Sequence, residues 1–157
     1  KRYLHIATHA LVDQEGGALF AELALTPPPP GAAPRGDDDG FLQLFEIYDL
    51  RMDCELAVLS ACSSNTGKVV AGEGIFALSR GFLLGGARRV IASQWAVEDN
   101  STADLIGDLF RRLAASEKAG EPVDSSLALR DAKRSIRRQS ARAHPFYWAP
   151  FVITGVE

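Results

Sequence analysis

Leu56-Ala57-Val58-Leu59-Ser60-Ala61 is the stretch on which the fold turns. It is almost wholly apolar, with neither the alternation of a half-buried strand nor the spacing of an amphipathic helix. A short continuous run of this kind is the mark of a strand at the centre of a parallel sheet, covered on both faces. Tyr3-Leu4-His5-Ile6-Ala7-Thr8 reads as a second such strand, Arg89-Val90-Ile91-Ala92-Ser93 as a third and Phe151-Val152-Ile153-Thr154 as a fourth. Helical patterns lie between them. One spans Gly40 to Leu50, and another runs from Glu73 to Leu84 and stops at Gly85-Gly86. A third, capped by Asn100-Ser101, runs to about Ser116, with Leu105, Ile106, Leu109, Phe110 and Leu113 on one face. Asp124-Ser125 caps a fourth, running to about Ala143. Strands alternating with helices imply right-handed crossovers and a mostly parallel sheet with helices on both faces.

Pro27 to Gly40 breaks this rhythm with four prolines, a Gly-Ala-Ala-Pro-Arg-Gly stretch and three aspartates; it is expected to be a mobile surface loop. The sheet looks short of strands on its N-terminal side, so the expectation is a single domain, 1–157, cut from a longer protein.

Composition narrows the function. The chain has 157 residues, about one domain's worth. Lys and Arg number 17 against 20 Asp and Glu, a net charge of −3 that argues against a domain built to neutralise phosphates. No apolar run approaches a membrane span, and Lys1-Arg2-Tyr3-Leu4 is no signal peptide. The two cysteines, Cys54 and Cys62, form no CxxC and no Cys/His cluster. A disulfide framework and a structural zinc site are therefore not expected, and a reducing, cytoplasmic setting is.

Ligands of open parallel sheets bind at the carboxyl ends of the strands. His9 lies just past the end of the first strand and Cys62 just past the end of the second. A thiol near pKa 8.5 is mostly protonated at neutral pH, and an imidazole beside it takes or shares that proton. Together they would supply a nucleophile and a general base, and backbone N–H groups at Ala10 and Cys62 could hold an oxyanion. Against this stands a plainer reading, since a cysteine at a strand end is more often packing than catalysis. His5 reads as a satisfied core or rim histidine, and Cys54 as structural.

The motifs carry a resemblance. His5-Ile6-Ala7-Thr8-His9-Ala10 resembles the histidine motif of CHAT domains, caspase-like cysteine peptidases of clan CD found in bacterial multidomain proteins. Leu59-Ser60-Ala61-Cys62 with Thr66-Gly67-Lys68 is similar to their cysteine motif. Gly72-Glu73-Gly74, Arg80-Gly81-Phe82, Gly86-Ala87-Arg88 and Ser93-Gln94-Trp95 with Val97 follow in family order, and His144-Pro145-Phe146-Tyr147-Trp148-Ala149-Pro150-Phe151 resembles the closing signature. The resemblance implies a caspase-like three-layer α/β/α sandwich and a cysteine endopeptidase in which His9 is the general base and Cys62 the nucleophile. It implies no cofactor or metal, a protein or peptide substrate, and regulatory neighbours in the same chain such as repeat modules; no nucleic acid or membrane partner is expected.

This chain departs from the family in two places. Ala10 stands where the family usually has Gly, so a positive φ there would be strained by about 1 kcal/mol or more. Ser63-Ser64-Asn65 replaces the commoner acidic-Thr-Gly pattern. Some clan CD relatives have an acidic residue two before the cysteine, facing a basic P1 side chain. Here that residue is Ser60, which gives no reason to expect a basic P1. Gln94, Trp95 and Asp99 follow the third strand and join Ser60 as substrate-binding candidates; core packing is an equal reading for Trp95.

Other signals fall away. Cys62-x4-Gly67-Lys68 lacks the first glycine and the hydroxyl of a phosphate-binding loop. Gly72-x-Gly74 lies too far beyond its strand for a dinucleotide fingerprint. No G-x-S-x-G elbow supports a serine hydrolase. Arg130, Lys133, Arg134, Arg137, Arg138 and Arg142 make one helix strongly basic, which reads as a solvated face or one that docks an acidic neighbour. The competing class is a catalytically weak or inactive caspase-like module that signals or binds partners. A cysteine acyl-transfer enzyme such as a transpeptidase ranks third.

Overall fold

The computed structural model describes residues 2–12, 20–29, 31, 39–60, 62–63 and 71–156. The chain divides into two compact units, 1–96 with 154–157, and 97–153.

The first unit is organised by the apolar run quoted above. It forms β5 (Leu56–Leu59), and all four of its residues are buried. β1 (Tyr3–Ile6) pairs parallel to β5 on one side, with Ile6 opposite Leu59. β7 (Arg89–Ser93) pairs parallel on the other, with Leu59 opposite Ala92. β8 (Phe151–Gly155) completes the order β1-β5-β7-β8. Val156 N–H bonds the Arg88 carbonyl at 3.2 Å and the Thr154 hydroxyl bonds the Val90 carbonyl at 3.4 Å. The partner numbers run in opposite senses, so β8 is the antiparallel edge of a mostly parallel sheet.

Along β5 the side chains alternate between faces, as strand geometry requires. Ala57 and Leu59 join a core with Leu78 and Phe82 of α2 (Ala71–Leu84) and Leu44 and Ile47 of α1 (Leu44–Asp49). The close packing of α1 on α2 depends on Gly81, where a Cβ would lie 2.9 Å from the Leu44 side chain.

The sequence did not reveal a second sheet. β2 (His9–Val12), β3 (Ala21–Ala24), β4 (Phe41–Gln43) and β6 (Cys62–Ser63) associate in the order β4-β3-β2-β6. These strands have two to four residues each, too few to register as periodic runs. The helix expected over Gly40 to Leu50 starts only at Leu44, because Phe41–Gln43 pair with Glu22–Ala24. Here tertiary pairing overrides a helical spacing. Most of the Pro27–Gly40 stretch lies outside the described residues; its base is closed by a 2.7 Å bond from Leu25 N–H to the Gly40 carbonyl.

The second unit holds α3 (Asp99–Ala119) and α4 (Ser125–Arg137), which pack on each other. Leu105, Ile106, Leu109 and Leu113 of α3 are buried, as are Ala128, Leu129, Ala132 and Ile136 of α4. Asp124 caps α4 as expected, accepting from Ser126 N–H at 2.8 Å and Leu127 N–H at 3.0 Å. α3 begins earlier than expected, after Glu98, whose carboxylate accepts from the Ser101 hydroxyl. α4 stops at Arg137 instead of reaching Ala143, and short 3-10 turns at Ser140–Arg142 and Pro145–Tyr147 follow.

Candidate active site

β1, β5 and β7 run parallel, so their carboxyl ends share one rim of the sheet. Ile6, Leu59 and Ala92 form a paired row across that rim. His9, Cys62 and Trp95 each lie three residues beyond a member of that row. The first two are brought together directly: β2 and β6 pair in parallel with His9 opposite Cys62 and Ala10 opposite Ser63. Neighbouring strands in a sheet run about 4.8 Å apart, which is the scale of that backbone separation. The pairing continues the β1–β5 ladder after a break, across which Ser60 N–H donates to the Ile6 carbonyl at 3.0 Å.

His9 is exposed, as is His5 four residues earlier on the chain. His5 Nε2 lies 2.8 Å from the Ser60 hydroxyl, which satisfies it as the sequence reading expected. Although the residue as a whole is exposed, burial of its ring lowers the pKa of His5 from 6.5. Ser60 is thus engaged by an imidazole just ahead of Cys62. Thr8, between the two histidines, donates its hydroxyl to the Ala24 carbonyl and ties the β1–β2 connection to β3.

Ala10 is buried within β2, with β3 on one side and β6 on the other. No described residue other than glycine has a positive φ, so the Cβ of Ala10 costs no backbone strain. The strain foreseen for an alanine at this position is therefore absent.

Among the substrate-binding candidates, Gln94 is half-buried and Trp95 exposed, both directly after β7. The Ser93 hydroxyl donates to the Trp95 carbonyl at 2.6 Å and shapes that turn. Trp95 is 41% exposed, which sets aside pure core packing for its ring. Asp99 belongs to the second unit, where it opens α3. Cys54 is buried and donates its thiol hydrogen to the Leu56 carbonyl at 3.2 Å, a packing role. Gly72 and Gly74 fall in the first turn of α2, so they form no phosphate-binding loop after a strand. Residues 64–70, including Thr66-Gly67-Lys68, lie outside the described residues. Among the described residues no cluster of His, Cys, Asp and Glu could hold a metal, and no helix is long and apolar enough to cross a membrane.

The sequence matches the family described as CHAT domain over residues 1–156. This chain belongs to the CHAT domain family. The mixed α/β architecture and mostly parallel sheet agree with its caspase-like fold. The chain is also 32% identical over 110 residues to tetratricopeptide repeat protein 28 of Homo sapiens, and 31% identical to the Mus musculus protein of the same name. The aligned part is 70% of this chain and 4% of either relative, so this CHAT domain spans a small fraction of their length. Both relatives are mammalian, a source that the bacterial resemblance of the motifs does not anticipate.

Proposed function

We propose that this CHAT domain is a cysteine endopeptidase with a Cys62–His9 dyad. The observation that carries the reading is the parallel pairing that sets His9 opposite Cys62 at the carboxyl rim of the sheet. In the proposed reaction the Cys62 thiol gives its proton to His9 and its sulfur attacks the scissile carbonyl carbon. Backbone N–H groups hold the resulting oxyanion, that of Cys62 first. Ala10, next to His9 on β2, is the second candidate. The tetrahedral intermediate collapses as His9 protonates the leaving amine, giving a thioester on Cys62. Water, deprotonated by His9, then releases the acid and restores the thiol.

Ser60, Gln94 and Trp95 border the same rim and are the proposed substrate contacts. A serine hydroxyl, an amide and an indole offer no carboxylate to a basic P1 side chain. The relatives' name includes tetratricopeptide repeats, which supports a reading in which repeat modules of a longer chain regulate the domain.

The test is profiling of new N-termini. The polypeptide bearing this domain, wild type and Cys62→Ala, is incubated with a cell-derived peptide library and the products are sequenced. Cleavage by wild type alone supports the peptidase and gives P1 directly. Equal product sets leave the non-catalytic module as the reading, and products joined to an added amine would point to acyl transfer.

A further inference from the structure

α4 has two faces of opposite character. Ser125, Ala128, Leu129, Ala132 and Ile136 are buried. Arg130, Arg134, Arg137 and Arg138 lie exposed on the other side, with Lys133 half-buried beside them. The only carboxylate on this helix is Asp131, which takes Arg130 at 2.9 Å and Arg134 at 3.5 Å. Arg137 is held over the Trp148 ring, 5.8 Å from its centroid. Among the described residues no ion pair reaches Lys133 or Arg138. Burial lowers the Lys133 pKa, as expected for an ammonium without a carboxylate beside it.

The fold does not need this arrangement. The apolar stripe already seats α4 on α3, and like charges three and four residues apart oppose helix formation. The charge is also localised. Residues 125–138 carry five cations and one carboxylate, whereas the rest of the chain carries twelve cations and nineteen carboxylates; Arg142, beyond the helix, is already paired with Glu98 and Asp104.

We propose that the exposed face of α4 is a docking surface for an acidic protein segment. Charge complementarity selects the sign of the partner, and two features select a protein over a nucleic acid. The cations from Arg130 to Arg138 span only about 12 Å of helix, a length a short acidic segment can match. A longer polyanion would run on over a chain whose remainder is strongly acidic and would be repelled. Exposed Leu127, on the same face, offers an apolar contact that a phosphate backbone does not use. The inference stands apart from the proposed peptidase activity.

The probe is a fluorescein-labelled peptide of about 16 residues built from Glu-Glu-Leu-Asp repeats, enough to cover the patch as a helix or extended chain. Its anisotropy is followed on titration with the intact chain, in parallel with a single-stranded DNA of similar net charge. R130Q/R134Q/R138Q is expected to weaken peptide binding about tenfold or more, with binding falling steeply as salt rises. R51Q/R88Q/K118Q removes the same charge from exposed positions elsewhere and is expected to change binding by less than about twofold, which separates the patch from net charge. Equal helical circular dichroism of the variants shows that α4 still forms. Unchanged peptide binding by R130Q/R134Q/R138Q overturns the proposal, as does equal weakening by R51Q/R88Q/K118Q. DNA binding that is tighter than peptide binding and depends on the α4 arginines overturns it in favour of a nucleic-acid face.

Discussion

The central strand β5 has a cysteine beyond each end, and the two ends are built differently. At the amino end Cys54 is 5% exposed and its thiol bonds the Leu56 carbonyl. Its own carbonyl accepts from Arg88 N–H at 2.9 Å, and it bridges to Ala87. Next to it Met52 N–H bonds the Gly85 carbonyl at 2.7 Å, in the turn that ends α2. Every one of these contacts uses backbone groups to close the strand end. At the carboxyl end the chain instead gathers exposed polar side chains: His5 on Ser60, and His9 on the position opposite Cys62. The same residue type is thus packing at one end of a strand and a candidate nucleophile at the other. Position relative to the strand, more than residue identity, separates structure from chemistry in a parallel sheet.

Exchanging the two cysteines for alanine tests this contrast most strongly. Cys62→Ala is expected to lower kcat/KM of the proposed cleavage by about a thousandfold or more, because no other group supplies the nucleophile. Its unfolding midpoint should stay close to that of wild type. Cys54→Ala is expected to do the reverse, costing about 1–2 kcal/mol in denaturant unfolding while kcat/KM stays within about twofold. Cleavage that survives Cys62→Ala, or dies with Cys54→Ala at full folding, would break the comparison.

His9 sharpens it from the other side of the pair. His9→Ala should cost about a hundredfold to ten-thousandfold in kcat, the range for losing a general acid–base group, with little change in stability because the residue is exposed. The pH–rate profile should lose the limb that reports the imidazole. An unchanged profile would remove His9 from the reaction even if the rate fell.

The amino end should be the unforgiving one for backbone changes. Gly86 has φ +110°, and a Cβ there would meet the Met52 carbonyl oxygen at 2.0 Å. Neither the angle nor the neighbouring backbone can yield without moving the turn that holds Met52. Gly86→Ala is therefore expected to destabilise by about 3 kcal/mol, read from urea unfolding. A cost below about 1 kcal/mol would mean that this end is not rigidly closed.

How much of this was legible in the sequence follows from the range of the forces involved. β5 and the Val90-Ile91-Ala92 centre of β7 were readable because burial on both faces removes polar residues from a run. The rim that hosts His9 and Cys62 follows from the general rule for the carboxyl ends of parallel strands, whereas the β1–β5 pairing itself is seen only in the structure. The β2–β6 pairing was not readable. It joins a four-residue strand to a two-residue one across more than fifty positions, and neither strand is long enough to carry a local periodic signal. For the same reason β4 looked like the start of α1. The pairing of His5 with Ser60 was equally invisible, although two polar residues at one rim of two adjacent parallel strands, Ile6 opposite Leu59, place them within reach once the register is known.

That last contact yields the smallest expected effect. Burial holds the pKa of His5 below 6.5, so its ring takes up a proton less readily in the folded chain than in the unfolded one. Between the lowered folded value and 6.5 the unfolded state binds more protons, and stability therefore rises with pH through this window. It is fully present above about 6.5 and is lost as pH falls below it. The sign is opposite to that of a histidine stabilised by a carboxylate, whose support would be lost on going up in pH. Because His5 is largely exposed, solvent keeps the effect modest. The difference between wild type and His5→Gln isolates this residue from every other ionisable group of the chain. Urea midpoints measured from about pH 5 to about pH 7.5 should climb more steeply in wild type than in His5→Gln, whose amide keeps a hydrogen bond to Ser60 but carries no titratable proton. Superimposable slopes would mean that the imidazole at this rim is as free to protonate as one in water. The carboxyl end of β5 would then be open even at the layer beneath His9 and Cys62, and the contrast with the closed amino end would be greater still.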